Sequence, residues 1–169
     1  MKRFLSLGLL AALTVTLLTG CANKGGLDDD YVGIDGDYVT GTPLPDRIEG
    51  ANFYGSTVNR SQFPPVYFGY DSVTVADSEF TTLDTVASAL EGNNDDVIIA
   101  GFTDVRGTEE YNRGLGERRA QAVRESLIGL GISGSRIQTV SFGEEMPADP
   151  GSGDSAWAAN RRAEFGLIR

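Results

Sequence analysis

The run Gly101-Phe102-Thr103-Asp104-Val105-Arg106-Gly107-Thr108-Glu109-Glu110-Tyr111-Asn112-Arg113-Gly114-Leu115-Gly116-Glu117-Arg118-Arg119-Ala120 carries, in order, a strand exit, a turn and the start of a helix. Ahead of it stands Val97-Ile98-Ile99-Ala100, a β-branched run that predicts a buried strand. Thr108 is a good N-cap, and Glu109 and Glu110 suit the positive first turn of the helix that follows. Tyr111, Leu115, Ala122, Val123, Leu127 and Leu130 recur at helical spacing as far as Gly131. Gly114 and Gly116 are poor helix residues and weaken the expectation for the first turns. Asp104 is thereby expected at the C-terminal end of a strand, just before a helix start, where ligand sites collect in sheets with helical connections. If the helix packs back on the strand, Arg119 comes near Asp104. A carboxylate beside a guanidinium holds a zwitterion: the first takes an ammonium, the second a carboxylate, bidentately. The bland alternative for the same two residues is a structural salt bridge.

Working outward, Pro64-Pro65 punctuates the chain and Val66-Tyr67-Phe68 reads as a short strand. Asp77 suits the cap of a helix whose apolar face is Phe80, Leu83, Val86, Ala87 and Leu90, ending at Gly92-Asn93-Asn94. Arg136 to Phe142 alternates as a further strand, a short turn is expected near Trp157, and Ala163 to Ile168 forms a last strand. The order β-α-β-α-β-(α)-β gives an α+β domain over 64–169, long enough to build its own core. Arg106, Arg113 and Arg118 read as solvated loop or helix charges.

Composition removes several function classes. The chain has 169 residues, 24 acidic against 14 basic side chains, a net charge of −10 and no histidine. Such negativity argues against nucleic-acid binding, which needs a basic footprint. Without histidine there is no Ser–His or Cys–His nucleophile and no ordinary His-ligated zinc site. The single cysteine permits no internal disulfide. Neither a cofactor nor a metal is expected. The acidic pairs Asp95-Asp96, Glu109-Glu110 and Glu144-Glu145 do not suggest a glycosidase, because neighbours in a helix or strand point apart.

Residues 1–20 read as a signal peptide: Lys2 and Arg3, then an apolar run from Phe4 to Leu18 that is too short to span a bilayer. Leu18-Thr19-Gly20-Cys21 resembles the lipobox of bacterial lipoproteins, which implies that Cys21 is the lipidated residue. Several acyl chains anchor stably where one gives only marginal binding. Ala22, standing where Asp tends to cause inner-membrane retention, favours the outer membrane with the protein facing the periplasm. Residues 21–63 are rich in Gly, Asp, Thr, Asn and Pro with no sustained apolar period, and read as a flexible acidic linker. About 40 such residues have an end-to-end distance of roughly 35 Å. The sharper alternative, a short binding segment around Tyr31–Tyr38, has no periodicity behind it.

From Val66 to Arg169 the chain resembles the OmpA-like peptidoglycan-binding domain. The pattern of that family, G-[HYF]-[TA]-D-x-x-G-x-x-x-Y-N-x-x-L-[SG]-x-x-R-A, is met at every fixed letter between Gly101 and Ala120. Val140-Ser141-Phe142-Gly143-Glu144 and Asn160-Arg161-Arg162-Ala163-Glu164 also match in order. The resemblance implies a mixed sheet with helices packed on one face. It implies non-covalent, non-catalytic binding of peptidoglycan, whose diaminopimelate side chain ends in one ammonium and one carboxylate. It places the ligand aspartate at Asp104 and the ligand arginine at Arg119. Thr103 falls within the same block, and Asn112 has a supporting hydrogen bond. Phe68 and Gly69 match a loop that closes over the ligand, with a backbone contact expected at Gly69. Arg161 or Arg162 is expected to meet a ligand carboxylate, and strand alternation favours Arg161. Phe102 replaces the histidine common in the lipidated Pal branch of the family, which the chain otherwise most resembles. That branch implies TolB and other Tol proteins as partners, beside peptidoglycan and, through Cys21, outer-membrane lipid. Other OmpA-like lipoproteins share the same domain.

Overall fold

A computed structural model describes residues 52–168. The signal peptide, Cys21 and most of the expected linker lie outside these residues. The described chain runs β1 (Val58–Asn59), β2 (Val66–Tyr67), α1 (Phe80–Glu91), β3 (Asp96–Phe102), α2 (Glu109–Gly129), β4 (Ile137–Gly143), α3 (Asp154–Asn160) and β5 (Arg162–Ile168). The sheet order is β1-β5-β3-β4, with β2 also paired to β5. β3 and β4 are parallel, joined through α2, whereas β5 returns antiparallel between β3 and β1. The α+β class is as the order of elements predicts, and the mixed sheet is as the family resemblance implies.

Alternation along β3 divides the core in two. Val97 and Ile99 face α1 and α2, packing with Leu83, Val86, Leu90, Val123 and Leu127. Ile98, Ala100 and Phe102 face the other way. That second face is covered by Phe53, which is 2% exposed, with Tyr54, Val58 and Phe142 around it. Here the expected linker boundary at residue 63 is corrected. Residues 52–63 are part of the folded domain: Val58 pairs with Ile168, and the Phe53 ring meets Phe102 and Phe142. The segment lacks a periodic pattern because its core contacts, Phe53, Tyr54, Val58 and Phe63, are irregularly spaced and divided between the two faces of the sheet. Phe80, expected on the apolar face of α1, is exposed instead, at the first residue of the helix.

α2 begins as its sequence dictates, with the Thr108 hydroxyl accepting from the Tyr111 N–H. It ends in a Schellman motif, Ile132 N–H to Leu127 O and Gly131 N–H to Ile128 O, with Gly131 at φ +99°. Its two awkward glycines have different reasons. Gly116 lies against Gly101 of β3 so closely that a Cβ built on Gly101 would stand 1.8 Å from the Gly116 carbonyl oxygen. A Cβ on Gly116 would stand 2.4 Å from Ser141 Oγ. Gly114 meets only the end of the Arg118 side chain, at 3.4 Å.

Gly101→Ala is accordingly expected to cost about 2–3 kcal/mol or more by forcing α2 off the sheet. Gly114→Ala is expected to gain up to about 1 kcal/mol from helix propensity. Urea unfolding of the two variants beside the wild type checks the contrast.

Candidate functional site

The glycine contact brings the end of β3 against the first half of α2, and the residues flanking it line one small cavity. Its volume is about 140 Å³, and Tyr70, Thr103, Asp104, Arg106, Asn112 and Arg119 are among its walls. At about 30 Å³ of liquid per water, that is room for roughly five waters, or for the end of one amino-acid side chain. A larger groove of about 890 Å³ runs along β4 past Phe53, Ile98 and Phe142. It is flanked by Glu109, Arg113 and Glu117 but holds none of the expected site residues.

Arg119 is fully buried. Its guanidinium donates to three backbone carbonyls: Nε to Ser72 O at 2.9 Å, Nη1 to Phe102 O at 2.9 Å and Nη2 to Gly69 O at 3.2 Å. The Phe68 ring lies 5.2 Å from its central carbon. A guanidinium has five N–H groups, so one on each terminal nitrogen is left over. Among the described residues Arg119 forms no ion pair. Burial pushes its pKa down to about 10, against the opposing pull of Asp104, so it is still charged at neutral pH. The loop that supplies two of the carbonyls is pinned by the Tyr111 hydroxyl, which donates to Asp71, and Asp71 has φ +49°.

Asp104 is 4% exposed and is held by a different set of donors from those expected. Arg106 donates its backbone N–H and Nε to Oδ1, each at 3.1 Å, and Nη2 to Oδ2 at 2.6 Å. Arg161 Nη1 reaches Oδ2 at 3.3 Å, while its Nε donates to Phe68 O. Burial pushes the Asp104 carboxyl up, but the hydrogen bonds from Arg106 and Arg161 outweigh it and hold the carboxyl below its usual value. Asp104 and Arg119 thus share a cavity without forming a direct ion pair. Arg106, read from sequence as a solvated charge, is the closest partner of Asp104. The missed signal was the Asp-x-Arg spacing, which lets the Asp104 carboxylate accept from the Arg106 N–H in a tight turn.

The other expected residues fall as follows. Thr103 is buried, lines the cavity, and its hydroxyl has no partner among the described residues. Asn112 is buried in the wall and donates to Glu144 Oε2 at 2.5 Å, tying the helix to the Val140–Glu144 block. Phe68 and Gly69 act through their carbonyls, on Arg161 and Arg119. Arg161, just before β5, bonds Asp104 without being one of the cavity walls. Arg162 points to the opposite face, 3.9 Å from the Phe102 ring and bonded to Glu164. The side chain of Phe102 also lies on that face, stacked on Phe142, so only its carbonyl touches the site. Arg113 pairs with Glu145 at the surface, in keeping with a solvated charge.

The family is shown by a match to the OmpA family model over residues 67–161. The chain belongs to the OmpA family. It is 36% identical over 160 residues to the peptidoglycan-associated lipoprotein of Pseudomonas aeruginosa, covering 91% of this chain and 92% of that one. It is 37% identical over 166 residues to the protein of the same name from Legionella pneumophila, covering 96% and 94%. The crystal structure of the peptidoglycan-associated lipoprotein from Burkholderia pseudomallei superposes with a TM-score of 0.60 at 40% identity, over 61% of this chain and 88% of that chain. The C-terminal domain of Helicobacter pylori MotB shares the fold, with a TM-score of 0.59 at 20% identity, over 63% of this chain and 85% of that chain. Thr103 and Asp104 follow β3 and Arg119 stands in the middle of α2, and the three line one cavity.

Because the Asp104 pKa is lowered on folding, its pairing stabilises the protein fully above the unfolded value near 3.8 and is lost as pH falls through the folded value. Asp104→Asn is therefore expected to lose stability at pH 7 but to show a smaller further loss between pH 5 and 3 than the wild type. Urea midpoints across that range check this.

Proposed function

We propose that this protein is an outer-membrane lipoprotein that anchors the membrane to the cell wall by non-covalent binding of the diaminopimelate stem peptide. Asp104 receives the side-chain ammonium of diaminopimelate. The two leftover N–H groups of Arg119 receive the carboxylate on the same carbon, and the Thr103 hydroxyl supplies one more hydrogen bond. The observation that carries the reading is the buried, charged Arg119, which among the described residues has no carboxylate partner, beside a Thr103 hydroxyl that has no partner among them either. Buried charges and hydroxyls are ordinarily satisfied, so both suggest a polar ligand that completes the site. The geometry favours binding over catalysis. Asp104 is a carboxylate held ionised by arginines, which is unsuited to a general acid, and the cavity's other carboxylate, Asp71, is engaged by the Tyr111 hydroxyl.

The remaining parts of the reading rest on the sequence. Residues 1–20 are the signal, Cys21 carries the lipid, and the stretch between Cys21 and Asn52 is the tether from membrane to domain. The likeness to peptidoglycan-associated lipoproteins over most of the chain supports a place in the Tol–Pal system. TolB and other Tol proteins are then partners, with roles in envelope integrity and cell division.

Sedimentation of the full chain in detergent with purified sacculi tests the wall-binding reading. The wild type is expected to co-sediment, and Asp104→Ala and Arg119→Ala to remain in solution. Thr103→Val separates binding from folding. It is expected to be as stable as the wild type or about 1 kcal/mol more so, since an orphaned hydroxyl is removed, yet to bind sacculi more weakly. Equal retention of all four proteins contradicts the assignment of the site. Cys21→Ser is expected to abolish palmitate incorporation in cells, and labelling that persists contradicts Cys21 as the anchor.

A further inference from the structure

The Asp104 carboxylate is saturated. An ionised carboxylate offers about four lone-pair positions. Oδ1 accepts from the Arg106 N–H and Nε, and Oδ2 from Arg106 Nη2 and Arg161 Nη1. A ligand ammonium arriving at Asp104 therefore finds no free position, and one donor has to leave.

The four donors are not equally free to go. The Arg106 N–H is part of the backbone turn. Arg161 is anchored by a second bond, Nε to Phe68 O at 3.0 Å, and its side chain is largely buried. The Arg106 side chain hydrogen-bonds only Asp104 among the described residues, and 32% of it is exposed. Its guanidinium lies between two rings, 4.0 Å from the centre of Tyr70 on the loop after β2 and 4.4 Å from Trp157 on α3. Among the described residues the indole N–H of Trp157 has no acceptor, and the Arg106 guanidinium lies over its ring. Arg106 thus bridges the two sides of the cavity mouth and covers Asp104 with a cation of its own.

We propose that Arg106 is a displaceable stand-in for the ligand ammonium. In the empty site its guanidinium occupies the paired positions of Asp104, and it swings out from between Tyr70 and Trp157 when a cationic ligand group takes its place. The inference rests on the wall-binding reading above and adds an exchange of one cation for another. The exchange makes the site selective for a ligand that brings a charge. A neutral group that replaces the guanidinium leaves the buried Asp104 with only the longer Arg161 pair and the Arg106 N–H, which is unfavourable. It also keeps the empty site neutralised, so the aspartate stays ionised and oriented before ligand arrives.

The full chain, in detergent, is titrated with a soluble stem tripeptide ending in diaminopimelate and with the same tripeptide acetylated on the side-chain amine. Trp157 is the only tryptophan of the chain, so its emission reports directly on Arg106 leaving. The wild type is expected to bind the free amine with a change in Trp157 emission and to bind the acetylated peptide weakly or not at all. Arg106→Gln removes the competing cation. It is expected to bind the free amine about fivefold more tightly, the scale of one partly exposed ion pair, and to show little further emission change. Weaker binding by Arg106→Gln overturns the exchange and makes Arg106 a direct ligand of the peptide, through its unused Nη1. Binding by the wild type with no emission change overturns it as well. If the wild type binds neither peptide, the wall-binding reading fails first and the exchange with it.

Discussion

The approach of Gly116 to Gly101 is the constraint on which the site depends. With hydrogen at both positions, α2 lies against β3 almost backbone to backbone, and a single methyl on either side is incompatible with that distance. One turn further along α2, Arg119 therefore falls beneath the end of β3, where its Nη1 meets the Phe102 carbonyl. Two residues beyond that carbonyl, Asp104 enters the same cavity. A helix held an ordinary side chain's distance from the sheet would leave the guanidinium short of the strand end. The positions of the two charged groups follow from two absent side chains.

Around that contact the site is built largely from main chain. Arg119 is ordered by carbonyls of Gly69, Ser72 and Phe102 rather than by a carboxylate, which keeps its charge uncompensated and two of its N–H groups unused. Asp104 is ordered by arginines, one anchored and one at the rim. The two ends of the cavity are thus prepared differently. The cationic end waits with donors free, and the anionic end is already occupied by a cation of the protein itself. An acceptor-rich loop with a residue at positive φ, pinned by Tyr111, joins them. Binding at such a site exchanges existing ion pairs for new ones, so specificity comes from matching both charges at once.

Much of this was legible in the sequence, for physical reasons that can be named. β3 and α2 announce themselves through a β-branched run, a cap and helical spacing, and their order dictates that Asp104 stands at the strand exit. Alternation at the start of β5 sets Arg161 and Arg162 apart, one bonded to Asp104 and the other against Phe102. Other features were not legible because they are tertiary. Gly116 looks like a helix defect until the strand behind it is seen. Phe53 sits in a polar, unperiodic stretch and is drawn into the core only by the second face of the sheet. Arg106 reads as a loop charge because its partner is set by turn geometry and by two rings distant in sequence.

A crystal structure of the protein with a diaminopimelate tripeptide bound tests the central claim most directly. The account predicts the side-chain ammonium on Asp104, the adjoining carboxylate on the free N–H groups of Arg119, and the Thr103 hydroxyl bonded to the ligand. A peptide seated elsewhere, for instance in the groove along β4, with Asp104 and Arg119 untouched, contradicts it.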